Sequence, residues 1–125
     1  MSEEIKKILV VDDEPAIRQT IFEILSAEGF QVLSAKDGVE ALKLVDSSHE
    51  AIDALLIDVV MPRLDGTELA RVLLSYYPAI KIIFMSGYPD DVISKHGIPA
   101  SNMRFIKKPF APDILVKTVW EELKK

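Results

Sequence analysis

Apolar residues along the chain arrive in two rhythms. Ile8-Leu9-Val10-Val11 is a continuous run ending at Asp12-Asp13. Ala54-Leu55-Leu56-Ile57 ends at Asp58, and Ile80-Lys81-Ile82-Ile83-Phe84-Met85 ends at Ser86-Gly87. Short apolar runs without polar alternation suit strands buried on both faces of a parallel sheet. Two weaker segments, Gln31 to Ala35 and Met103 to Lys107, complete a set of five.

Helical spacing fills the intervals. Ile17, Ile21, Ile24 and Leu25 mark a first helix, with Pro15 near its start and Gly29 as its stop. Val39, Leu42 and Val45 mark a second helix after Asp37-Gly38, and Leu69, Val72, Leu73 and Tyr76 a third, closed by Pro78. A short fourth helix is expected from Pro89 to about His96, halted by Gly97 and Pro99. Leu115, Val119 and Leu123, flanked by Val116 and Trp120, mark the last.

Strand and helix therefore alternate five times with short links. Parallel neighbours need right-handed helical crossovers, so the class is α/β. The expected architecture is a flavodoxin-like five-stranded parallel sheet, order 2-1-3-4-5, with helices on both faces. Residues 1–125 are expected to form a single domain. Ligands in such sheets bind beyond the carboxyl ends of the strands, near the switch point in strand order.

Composition narrows the class. Hydrophobic residues are 49% and charged residues 28% of the chain, enough apolar material for one core. With 15 basic and 20 acidic residues the formal charge is -5, which argues against direct nucleic-acid binding. The absence of cysteine excludes disulfides, thiolate zinc and a cysteine nucleophile. No apolar run approaches the roughly 18 residues of a membrane span. No signal peptide is visible, and a cytoplasmic setting is the expectation.

The acids are not scattered. In the expected order the first and third strands are neighbours, so Asp12, Asp13 and Asp58 would share one pocket. Two like charges about 4 Å apart repel by roughly 4 kcal/mol at an effective dielectric of 20. A counter-ion is therefore expected, and all-oxygen ligation suits Mg²⁺. The backbone carbonyl of Val60 could add an oxygen. Ser86, a hydroxyl donor, and Lys107-Lys108, an ammonium source, close the fourth and fifth strands. Such a rim suits a phosphoryl group, whose transfer needs little beyond positioning and charge neutralisation. Asp58, alone at the end of the central strand and followed by an open loop, is the expected acceptor, giving an aspartyl phosphate.

Four segments, each at a strand end, carry a family resemblance. Val10-Val11-Asp12-Asp13-Glu14-Pro15, Asp58-Val59-Val60-Met61-Pro62-Arg63-Leu64-Asp65-Gly66, Met85-Ser86-Gly87 and Phe105-Ile106-Lys107-Lys108-Pro109-Phe110 resemble the response regulator receiver domain of two-component signalling. The resemblance covers nearly the whole chain, and Met85 to Asp91 with His96-Gly97 is similar to receivers of hybrid sensor histidine kinases. It implies Asp58 as phospho-acceptor, Asp12 and Asp13 as the metal pair with Asp13 the more direct ligand, and Ser86 and Lys108 on the phosphoryl oxygens. Lys108 is chosen over Lys107 because it directly precedes Pro109, through a bond the family usually holds cis. Phe105 falls at the aromatic switch position, where lack of a hydroxyl leaves packing as its means of action. Tyr88 could shield the phosphoryl group from water.

The function implied is a Mg²⁺-dependent switch, phosphorylated by a sensor histidine kinase or phosphotransfer protein. It would phosphorylate and dephosphorylate itself rather than turn over substrate. Its output would pass to a protein partner through the face of the fourth helix, fifth strand and fifth helix. The competing reading is a metal-dependent aspartyl phosphatase or phosphotransferase. Such enzymes usually carry an acid two residues after the nucleophile, where this chain has Val60. A flavin carrier would need a phosphate loop after strand one, where Asp12-Asp13-Glu14 would repel it. Asp65-Gly66 reads as a turn before the third helix, and His49 and His96 as surface residues.

Overall fold

The computed structural model describes residues 5–47, 52–59, 61, 66–87 and 104–125. Within these, β1 (Lys7–Val11), α1 (Pro15–Ala27), β2 (Gln31–Ala35), α2 (Gly38–Ser47), β3 (Ala54–Asp58), α3 (Gly66–Tyr76), β4 (Lys81–Ser86), β5 (Arg104–Lys107) and α4 (Pro112–Leu123) follow in chain order. The helix expected over 89–96 lies outside the described residues, so α4 is the helix that ranked fifth in the sequence. The five strands form one parallel sheet in the order β2-β1-β3-β4-β5, as expected from the pattern.

Both sheet faces are covered, which explains the unbroken apolar runs. Leu9, Val11, Leu55, Ile57, Ile82 and Phe84 point to one side, where Ala41 and Val45 of α2 and Leu69, Ala70 and Leu73 of α3 meet them. The alternate residues Ile8, Val10, Leu56, Ile83, Met85 and Ile106 face Ile21 and Leu25 of α1 and Leu115 and Val119 of α4. A period of two along each strand thus feeds two separate cores.

Local chemistry sets the helix ends. Pro15 opens α1, where a missing N–H costs nothing. Gly29 closes it at φ 94°, with Gly29 N–H donating to the Ser26 carbonyl and Phe30 N–H to the Leu25 carbonyl. That double bond is the Schellman termination, and its left-handed residue favours glycine. Asp37 caps α2 by accepting from Glu40 N–H at 2.8 Å, while Glu40 accepts from Lys36 N–H at 3.0 Å.

Two helix expectations need correction. Val45 is buried and Leu42 packs against the core as expected, but Val39 is exposed, and Gly38 and Ala41 are buried in addition. The small residues let α2 approach the sheet, so hydrophobicity alone misassigned Val39 and passed over Gly38 and Ala41. Gly66 is the first residue of α3, not a turn before it. β4 starts one residue later than the apolar run suggested and ends at Ser86, as expected.

Candidate functional site at the carboxyl ends of the strands

Register builds the site. Val11 pairs with Ile57, so Asp12 and Asp58, one residue further along, leave adjacent strands side by side. Asp58 pairs with Met85 of β4, and Ser86 pairs with Lys107 of β5. The strand order thus gathers the expected acids, hydroxyl and lysines along one edge of the sheet.

The three acids converge. Carboxylate oxygens of Asp12, Asp13 and Asp58 all lie within 4.8 Å of one another. Their environments differ: Asp12 has no solvent exposure, Asp58 has 7%, and Asp13 is exposed. The Asp12 Oδ1 accepts the Glu14 N–H at 2.9 Å, and its Oδ2 accepts from Lys108 Nζ at 2.8 Å. Lys108 Nζ also lies 3.5 Å from Asp58 Oδ2.

Lys108, not Lys107, is the lysine of the pocket. Lys107 ends β5 with its side chain exposed, while Lys108 leaves the strand, its N–H donating to the Ser86 carbonyl at 2.8 Å. The Lys108–Pro109 peptide bond is cis. Burial alone would pull the Lys108 ammonium down; the hydrogen bond and charge of Asp12, seconded by Asp58, hold it above the ordinary lysine range.

Ser86 and Phe105 share a face of the sheet. Phe105 pairs with Phe84, and their rings stack with centroids 5.3 Å apart at a 32° tilt. Ser86 is two residues beyond Phe84, so it emerges on that same face, and it is buried. Phe105 is half-buried and bears on the core beneath α2 and α3. The Val60 carbonyl and Tyr88 lie outside the described residues, as do His49 and His96.

Two residues that pattern reasoning did not place in the site support its backbone. Arg18 Nη1 donates to the Asp12 carbonyl at 2.7 Å. Gly66 lies so close to the end of β3 that a Cβ there would collide with the Asp58 carbonyl oxygen and sit 2.8 Å from Ile57 Cγ2. Gly66 N–H also donates to the Val59 carbonyl at 2.9 Å, tying α3 to the strand end. A glycine opening a helix after an acidic strand end was the only signal in the chain for that contact. Arg18 gave none beyond lying in the first turn of α1.

The donor set fits a divalent cation. Counted as ionised groups, three carboxylates less one ammonium leave two negative charges. Asp12, Asp13 and Asp58 could hold Mg²⁺, which takes oxygen ligands and keeps several waters.

Comparison with known proteins agrees with this reading. Residues 8–120 match the model of the response regulator receiver domain. The sensor kinase CckA of Brucella abortus is 38% identical over 118 residues, 94% of this chain but 12% of that protein. The response regulator MprA of Mycobacterium ulcerans is 40% identical over 112 residues, covering 88% of this chain and 47% of its own length. The chain thus spans a small part of the one and about half of the other. Among solved structures, the receiver domain of the hybrid histidine kinase CckA superposes with a TM-score of 0.79 at 33% identity, covering 94% of this chain and 98% of that one. The response regulator TrrA of Thermotoga maritima, solved in complex with Mg²⁺–BeF, gives 0.81 at 33% identity with the same coverage. Its strand order, its strand-end aspartates and these matches agree: the chain belongs to the response regulator receiver domain family.

Proposed function

We propose that Asp58 is the phospho-acceptor of a signalling switch. The donor is a phosphohistidine on a sensor histidine kinase or a phosphotransfer protein, the donors receiver domains use. A carboxylate oxygen of Asp58 bonds to phosphorus as the phosphorus–nitrogen bond breaks, and the donor ring, already protonated on its other nitrogen, takes the bonding electron pair and leaves as neutral imidazole. Receiver domains bind Mg²⁺ at their acidic pocket; here Asp12, Asp13 and Asp58 would hold it, with the Val60 carbonyl a further candidate oxygen. Held there, Mg²⁺ would supply positive charge to offset the carboxylates and the phosphoryl oxygens. Lys108 and Ser86 take the phosphoryl oxygens by charge and hydrogen bond.

The observation that carries this reading is the position of Lys108 Nζ, 2.8 Å from Asp12 and 3.5 Å from Asp58. It stands between the metal pair and the acceptor, where the oxygens of a phosphoryl group on Asp58 would lie. A turnover phosphatase is not favoured, since the position two residues after Asp58 is Val60 and not an acid.

Residues 1–125 act as one receiver unit in a cytoplasmic setting. Phosphorylation draws Ser86 inward, and Phe105, stacked on Phe84 on the same face, repacks. The surface of β5 and α4, together with the helix expected over 89–96, then changes its affinity for a protein partner. An equilibrium of a few kcal/mol suffices.

The test is direct. Incubation with acetyl phosphate or phosphoramidate and Mg²⁺ gives a single phosphate adduct by intact mass, absent in Asp58→Ala. No adduct with any donor sinks the proposal.

A further inference from the structure

Asp12 is held on every side. Its amide donates to the Ala35 carbonyl of β2 at 3.2 Å, its Oδ1 accepts from Glu14 N–H, and its Oδ2 accepts from Lys108. The remaining polar atom, its carbonyl oxygen, accepts from Arg18 Nη1 at 2.7 Å. Asp13 is different: it is exposed, and among the described residues its carboxylate has no hydrogen-bonding partner. No such partner holds it, so the backbone, which fixes the Cα–Cβ bond, decides which region the carboxylate can reach.

The Asp12 carbonyl and the Asp13 amide belong to one planar peptide unit. A grip on that carbonyl fixes the rotation of the plane, and with it the direction in which Asp13 leaves the chain. Helical side chains lean toward the helix N-terminus. Arg18, in the first turn of α1, is thereby placed to reach back to this peptide. The entry to α1 has two other braces, the Glu14 N–H on Asp12 Oδ1 and the Arg18 N–H on the Glu14 carbonyl at 3.1 Å, but neither touches the Asp12 carbonyl that the Arg18 side chain holds.

We propose that Arg18 is a positioning residue for the divalent cation. By holding the Asp12 carbonyl it keeps the Asp13 carboxylate on the side of Asp12 and Asp58, where an oxygen of each lies within 4.8 Å of the others. The proposal rests on the Mg²⁺ reading given above. It makes a prediction of distinctive sign. Arg18 carries a permanent positive charge, and as a bare charge it opposes a neighbouring cation. Removing the charge alone would tighten Mg²⁺ binding; removing the grip weakens it.

The experiment is a calorimetric Mg²⁺ titration of the wild-type chain, Arg18→Met and Arg18→Lys, with unfolding midpoints first measured in chelator. Arg18→Met raises the Mg²⁺ dissociation constant roughly tenfold to a hundredfold, the usual range for groups that orient a metal ligand. Arg18→Lys, which keeps the charge and one donor but not the planar fork, falls between. A role confined to fold stability lowers the midpoint in chelator and leaves the dissociation constant unchanged, which overturns the proposal. So does an Arg18→Met protein that binds as tightly as wild type or more tightly. If Arg18→Met does not fold in chelator, Arg18→Lys decides: several-fold weaker binding supports the role, and unchanged binding overturns it. A wild-type chain that takes up no Mg²⁺ overturns the metal reading itself, and this proposal with it.

Discussion

Lys108 and Asp12 are bonded at 2.8 Å although β3 and β4 lie between their strands in the sheet. The lysine leaves the end of the edge strand and crosses the strand ends to reach a carboxylate with no solvent exposure. The pair links the last strand to the first. It also sets an ammonium 2.8 Å from Asp12 and 3.5 Å from Asp58.

Breaking that pair should be costly. Lys108→Met leaves a buried carboxylate with one partner fewer and three acids with no ammonium between them. Removing one member of a buried ion pair typically costs 3–5 kcal/mol; with the Lys108 side chain 18% exposed, about 2–4 kcal/mol is expected here. Urea unfolding in chelator at neutral pH measures it. A loss below half a kcal/mol would show the pair to be energetically idle.

The same pair predicts a pH dependence. The folded state holds the Lys108 pKa above its ordinary value, which is the unfolded value. Its stabilisation is fully present below the ordinary lysine pKa and is lost as pH rises through the raised folded one. The stability difference between wild type and Lys108→Met should therefore stay flat across neutral pH and shrink only in the strongly alkaline range. A difference that fades between pH 6 and 8 would assign it to some other group.

The crowded acids predict a crossover. In chelator, Asp13→Asn relieves like-charge repulsion and should raise the unfolding midpoint. In Mg²⁺ the order should reverse, because wild type gains binding energy that the variant has lost. At a hundredfold excess over the dissociation constant that gain is about 2.7 kcal/mol. Differential scanning fluorimetry across a Mg²⁺ series reads both limbs, and parallel curves would contradict a shared cation site.

Gly66 predicts a steric cost. A Cβ there meets the Asp58 carbonyl oxygen, a backbone atom that cannot move aside without shifting the acceptor. Gly66→Ala should cost about 1–3 kcal/mol, as overpacking of a close contact does, although alanine is the better helix former. It should also slow adduct formation from acetyl phosphate. A variant as stable and as reactive as wild type would mean that α3 yields at no cost.

Much of this was legible along the chain because a doubly covered parallel sheet writes itself as short apolar runs. Each run here ends where the sheet ends, so Asp12, Asp58 and Ser86 announced their places by following Val11, Ile57 and Met85. The inner face of α2 was legible only in part, since Gly38 and Ala41 bury closely without being strongly hydrophobic while Val39 faces solvent. Lys107 and Lys108 were alike as residues. Their difference lies in one residue of register at the end of β5, resolved by family resemblance and then by the bond to Asp12.

Local sequence alone determined the alternation of strand and helix, the parallel sheet, and which residues sit at strand ends. Those are consequences of hydrophobic period and of turn chemistry between neighbours in the chain. Tertiary structure alone decided that Asp12 is sealed from water while Asp13 is open, that Lys108 reaches across two strands, that Arg18 grips the Asp12 carbonyl and that Gly66 abuts Asp58. Each depends on distances between segments far apart in the chain, set by strand order and helix packing, and no local pattern encodes such a distance.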